Sequence, residues 1–181
     1  ALVTRVVSIA HPVARTAGIP EQVDKFCNFV KSTVMESQMA SKKLHVAGGD
    51  EKRARVLEGA LKVFLAYGFN RTTMDDIARA AGLSRPALYL LFRNKTDIYR
   101  ELARGVIAEL MVRTRDALAR DGTLLERLDV MVLHAFFDTL KDIEGSPHGP
   151  ELLDIKNTLA GDLLAEWREE TRALLEKAID E

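Results

Sequence analysis

Ser84, Arg85, Pro86 and Ala87 stand in a row, with Tyr89 two positions on, Lys95 six beyond that, and the paired hydroxyls Thr72 and Thr73 upstream. An arginine fork bonds bidentately to a guanine edge, and an alanine meets a thymine methyl. Tyrosine, lysine and threonine groups bond phosphate oxygens, which position a protein on a duplex without reading its sequence. This chemistry needs a short helix delivered into a major groove N-terminus first, and residues 73–92, TMDDIARAAGLSRPALYLLF, read as such a device. Thr72 or Thr73 caps a helix with Asp75 and Asp76 in its first turn, which satisfies free amides and suits the helix dipole. Gly82 ends that helix after about two turns. Ser84 caps the next, whose first turn holds Pro86, where a missing N–H costs nothing. Ala78 and Ala81 are small where the two helices cross, and Leu83 and Leu88 bury between them. The pattern is a helix-turn-helix, and its expected DNA-binding residues are Thr72, Thr73, Ser84, Arg85, Pro86, Ala87, Tyr89 and Lys95. The competing reading is a plain helical hairpin, with Tyr89 and Phe92 in the core and Arg85 solvated.

The elements that must hold this device are also helical. Residues 51–67 place Val56, Ala60, Val63, Phe64 and Tyr67 on one stripe, with Gly68 as the stop. Ile98, Leu102, Val106 and Leu110 mark a long helix that closes near residue 120. Leu125, Leu128, Val132, Ala135, Phe136, Thr139 and Ile143 mark another over 124–143. Residues 144–150, EGSPHGP, read as a loop, followed by helices over 151–159 and 161–180, the second turning Leu164, Trp167, Leu174 and Ala178 inward. No run alternates with period two, so the expected fold class is all-α.

Composition narrows the possibilities further. With 47% hydrophobic and 29% charged residues, the 181-residue chain is globular in type. Its single cysteine, Cys27, excludes an internal disulfide and is compatible with a reducing cytoplasm. Apolar runs fall short of the ~20 residues of a membrane span. The net charge of −1 hides an asymmetry: residues 39–100 hold twelve Lys/Arg against six acids, and the remainder fourteen against twenty-one. A +6 module beside a −7 remainder suggests that one part meets a polyanion. Catalysis would need a nucleophile with a base, a phosphate-cradling glycine loop or a metal set. None is evident, so neither an enzyme nor a cofactor or metal is expected. A helical dimer that binds a small molecule or protein without DNA remains the alternative.

The string from Thr72 to Lys95 closely resembles the DNA-binding domain of the TetR family of transcriptional regulators. The positions that carry the resemblance are Thr72, Thr73, Ile77, Ala78, Ala81, Gly82, Ser84, Leu88, Tyr89, Phe92 and Lys95. Leu90 and Leu91 depart from it, standing where the family often has His or Tyr. The resemblance implies a homodimeric, cytoplasmic repressor that binds double-stranded operator DNA and releases it when a small, largely apolar effector binds. The expected organisation is a helix-turn-helix domain over 39–95 and a helical ligand-binding domain over 96–181. Family members usually begin near Met39 and continue for two helices beyond the one that closes at residue 181. Residues 1–38 read as two helices, and they are either those dimerisation helices, displaced, or an N-terminal extension. In the former case Phe26, Phe29 and Val30 are interface candidates. Bundle interiors hold ligand sites that are mostly apolar with a few polar groups, and Met111, Met131, His134, Phe136, Phe137 and Trp167 are the expected lining. Each of these six is individually also consistent with ordinary core. Effector, operator and the sign of regulation are not legible.

Overall fold

The computed structural model describes residues 47–180, and among them every regular element is helical. The segment 1–38, with Phe26, Phe29 and Val30, lies outside the described residues. Helix α1 spans Ala47–Tyr67, α2 Met74–Ala80, α3 Arg85–Leu91 and α4 Lys95–Leu118. The return limb consists of α5 (Leu124–Val130), a π-helical stretch (Met131–Phe137) and α6 (Asp138–Glu144). Helix α7, Gly149–Asp180, closes the described chain.

The first three helices and the start of α4 share one core. Val56, Leu57, Ala60, Phe64 and Leu65 of α1 meet Ile77 and Ala78 of α2, Leu88 of α3, and Ile98 and Leu102 of α4. Removing a leucine-sized side chain from water contributes roughly 1.5–3 kcal/mol, and this interior, rather than propensity, holds helices as short as α2 and α3 in place. Gly59 allows the closest approach: a Cβ there would lie 2.9 Å from the Ala81 amide nitrogen. Tyr67 departs from the expected stripe and is exposed. Phe69, which follows the Gly68 turn, fills the space beneath the end of α1 and stacks on Phe64 with ring centroids 5.3 Å apart.

Helices α4 and α7 run side by side in the same sense, as paired contacts along them show. Tyr99 meets Leu152, Arg100 meets Asp162, and Met111 meets Thr171. The limb between them returns, so its far end packs Leu128, Met131 and Ala135 with Ala117, Leu118 and Ala178, while Ile143 rejoins the main core. The expected stripe on this limb holds only in part. Leu125 and Val132 are exposed, and the Thr139 side chain lies outside the described residues. Leu124, Leu128, Met131 and Ala135 form the inward row at spacings of four and three, and Leu125 sits about a third of a turn away from it. The π-helical stretch then shifts the phase of everything that follows.

One boundary also differs from expectation. Pro150 belongs to the first turn of α7 rather than to the loop, which contracts to residues 145–148. The two helices expected over 151–159 and 161–180 do meet at a break at Ala160, where φ is −140° and ψ 29°. Arg100 Nη1 donates to the Leu159 carbonyl at this interruption, at 2.8 Å.

Candidate nucleic-acid interface

Thr73, not Thr72, caps α2. Its hydroxyl accepts from the Asp76 amide at 3.2 Å, while Asp76 Oδ2 accepts from the Thr73 amide at 2.9 Å, which closes a capping box. The hydrogen bond from the Thr73 side chain, followed by that from its backbone, holds the Asp76 carboxyl below its ordinary value. Thr72 is buried and donates to the Gly68 carbonyl at 2.7 Å. Its hydroxyl secures the α1–α2 turn.

At the turn, the Leu83 amide donates to the Ala78 carbonyl at 2.9 Å and the Gly82 amide to Arg79 at 3.2 Å. This paired closure requires a left-handed residue between the helices, and Gly82 supplies it with φ +64°. Ser84 then caps α3, accepting from the Ala87 amide at 3.4 Å. Leu88 and Phe92 are buried, so the opposite side of α3 is free for recognition.

That side carries Arg85, Pro86 and Tyr89 in exposed positions and Ala87 half-buried. The Arg85 side chain is 62% exposed; its Nη1 lies 3.2 Å from Asp75 Oδ2, and its guanidinium sits 5.7 Å from the centroid of the Tyr89 ring. Hydrogen bonding to Tyr89 and the nearby Asp75 charge raise its pKa further, so it is cationic throughout the working range. An exposed ion pair contributes about 0–1 kcal/mol, whereas a bidentate contact to guanine contributes roughly 1–3 kcal/mol. The contact to Asp75 therefore parks Arg85 beside the recognition surface without committing it there.

Lys95 occupies a different place from the one expected of a phosphate ligand. Its Nζ donates to the carbonyls of Phe69, Asn70 and Thr72 at 2.7, 3.1 and 2.9 Å, which uses all three ammonium donors. It also lies 4.6 Å from the centroid of the Phe69 ring. In this conformation Lys95 fastens the α1–α2 turn to the first residue of α4.

Of the eight expected residues, Ser84, Arg85, Pro86, Ala87 and Tyr89 lie on α3 or cap it, Thr73 caps α2, and Thr72 and Lys95 bond carbonyls of the α1–α2 turn. Leu90, noted in the sequence only as a departure from the family pattern, is 87% exposed. Leu88 takes the buried position and Leu90 lies two residues on, more than half a turn around; that spacing was the available signal. An exposed leucine on a recognition helix suits a thymine methyl.

The expected ligand lining divides. Met111 and Met131 are buried, and Phe136 packs on Trp167 with centroids 5.5 Å apart. His134 and Phe137 are exposed on the return limb. Two buried polar atoms on the facing helices, Thr114 Oγ1 and Trp167 Nε1, have no hydrogen-bond partner. Among the described residues no cluster of three or more His, Cys, Asp or Glu is placed to hold a metal ion. No helix among them is long and apolar enough to cross a membrane.

Comparison with known proteins converges on one family. Residues 56–102 match the model for bacterial regulatory proteins of the tetR family. The chain is similar to the transcriptional activator FasR of Mycolicibacterium smegmatis, at 35% identity over 92 residues, covering 51% of this chain and 42% of that one. It is also similar to the transcriptional repressor KstR2 of Mycobacterium tuberculosis, at 34% identity over 87 residues, covering 48% and 44%. It therefore spans less than half the length of either relative. A TetR family transcription regulator from Marinobacter aquaeolei VT8 has the same fold, with a TM-score of 0.57 at 24% identity over 72% of this chain and 68% of that one. Residues 56–102 thus match the tetR family of bacterial regulatory proteins, the chain is similar to regulators over about half its length, and its fold is that of a TetR family regulator.

Proposed function

We propose that this protein is a cytoplasmic, ligand-responsive transcriptional regulator that binds double-stranded operator DNA as a homodimer and acts as a repressor. The observation that carries the reading is the exposed Arg85–Tyr89 face of α3, mounted on a helix whose opposite side is sealed into the core by Leu88 and Phe92. Ser84, Arg85, Pro86 and Ala87 would enter the major groove first. Thr73 and Tyr89 would hold phosphates at the rim, and Lys95 would steady the turn behind them. In a dimer, two such helices would meet successive major grooves when they stand roughly 34–36 Å apart.

The effector would sit between α4, the π-helical stretch and α7, within the 96–181 domain. Thr114 Oγ1 and Trp167 Nε1 support this placement, since a buried polar group without a partner costs roughly 1–3 kcal/mol. A mostly apolar molecule with one or two acceptor oxygens would satisfy both while packing on Met111 and Phe136. π-helical turns are frequent at functional sites, and this one carries Met131, His134, Phe136 and Phe137. Binding would shift the spacing of the two recognition helices only through a difference in affinity for the two arrangements.

The test is a fluorescence-anisotropy titration against duplexes selected from a random pool. Wild type should bind one selected duplex with strong salt dependence. Arg85→Ala should weaken it by about 1–3 kcal/mol and relax discrimination at one base pair. Tyr89→Ala should weaken all duplexes alike with helicity unchanged. Enrichment of no sequence, or an Arg85→Ala variant that selects as wild type does, refutes the reading.

A further inference from the structure

A groove of about 220 Å³ opens between the end of α3 and the first turns of α4, away from the residues assigned to DNA and from the proposed effector space. Arg53, Leu91, Phe92, Arg93, Asp97, Arg100, Glu101 and Arg104 line it. Four arginines against two acids is an unusual density of positive charge for a surface depression. The internal pairing sharpens the imbalance. Arg53 Nε donates to Glu101 at 3.2 Å, its second Nη pairs with the same carboxylate, and its first donates to the Leu91 carbonyl at 3.1 Å. Its guanidinium also stacks 4.4 Å over the Phe92 ring. Arg100 turns its fork to Asp162, outside the groove.

Arg93 and Arg104 remain. Neither has an ion-pair or hydrogen-bond partner among the described residues, and both are exposed. They approach from different elements, Arg93 from the link after α3 and Arg104 from the third turn of α4. Against them stands the single carboxylate of Asp97, whose field falls partly on Arg100. The volume is below the ~300–1,000 Å³ of pockets for drug-sized ligands, and unpaired guanidinium forks match the planar or tetrahedral oxygens of carboxylates and phosphates.

We propose that this groove binds a small anion bearing phosphoryl or carboxylate oxygens, held between Arg93 and Arg104. Arg53 forms the fixed wall: its bonds to Leu91 and Glu101 already tie α3 to α4, and an anion would add a second tie across the same joint. The anion site stands independently of the proposed DNA reading; only its effect on DNA rests on that reading.

The experiment is calorimetric titration of the intact chain with inorganic pyrophosphate, without DNA. Wild type should bind saturably, and Arg93→Ala or Arg104→Ala should each weaken binding about tenfold, equivalent to ~1.4 kcal/mol. Arg104→Lys should restore only part of the loss, since it returns the charge without the fork. Arg168→Ala removes the same charge from an exposed position on α7 and should bind as wild type does. Repeating the titration with a selected duplex present separates the two sources of the oxygens. A loss of pyrophosphate affinity assigns the site to a DNA phosphate, and an unchanged affinity assigns it to a free anion. Absence of saturable binding by about 10 mM, full affinity in both alanine variants, or an equal loss in Arg168→Ala overturns the proposal. Failure of duplex binding alone leaves the pyrophosphate result intact.

Discussion

The helix-turn-helix module and the bundle above it solve the same packing problem in opposite ways. In the module, each bend has a local cause that can be named: the Thr73–Asp76 box, the Gly82 turn and the Ser84 cap. The bundle is held by contacts distant in sequence and carries an irregularity that no local residue type announces, the π-helical stretch. It also leaves Thr114 Oγ1 and Trp167 Nε1 buried without partners, whereas the buried hydroxyl of the module, Thr72, is satisfied. Under the proposed function, a surface that presents side chains to a fixed groove would gain from rigidity, and an interior that accommodates a ligand would keep polar capacity in reserve.

The contrast can be attacked where the effects are largest. Leu88→Ala removes the side chain that anchors α3, which is fully buried; the expected loss is about 2–5 kcal/mol by urea denaturation. A loss under about 1 kcal/mol would mean that the module is not the rigid half. Gly82→Ala should cost about 1–2 kcal/mol, because a Cβ is strained at φ +64° although nothing crowds the site. A neutral result would show that the turn relaxes. Thr114→Val tests the other half and should have the opposite sign, raising stability by about 1 kcal/mol through removal of a buried hydroxyl that has no partner. A destabilised variant would reveal that the hydroxyl is satisfied in solution.

The smallest expected effect is one of pH. Hydrogen bonding to Arg100 holds the Asp162 carboxyl down at about 2, against 3.8 ordinarily. A depressed carboxyl contributes stability that is complete above its ordinary value and is lost as pH falls towards about 2. Thermal unfolding across that window should therefore lose part of its pH dependence in Asp162→Asn, and a variant with an identical profile would uncouple the pair from the Ala160 break.

How far the sequence could be read follows the same division. The capped helices, the glycine turn and the burial of Leu88 follow from residue types within a few positions of one another, so α2 and α3 were legible almost to the residue. Lys95 was not: whether an ammonium meets a phosphate or three carbonyls depends on where the chain places residues 69–72, some two dozen positions away. Likewise, helical periodicity assumes an unbroken 3.6-residue turn. It assigned Leu125 and Val132 the wrong surroundings because the inward row runs through Leu124 and Met131, one position earlier in each case. Leu90 stood out only as a departure from the family pattern, because a leucine's residue type points to the core and its exposure depends on Leu88 taking the buried position.

The lysine at the head of α4 has one more consequence. With three carbonyls of the preceding turn gripped by its ammonium, the long helix and the scaffold beneath the groove-facing surface are riveted together, and neither can swivel without carrying the other along. Any tilt imposed from the far end of the bundle would therefore arrive at Thr73 and Ser84 as a change of aim, with the shape of the reading head preserved.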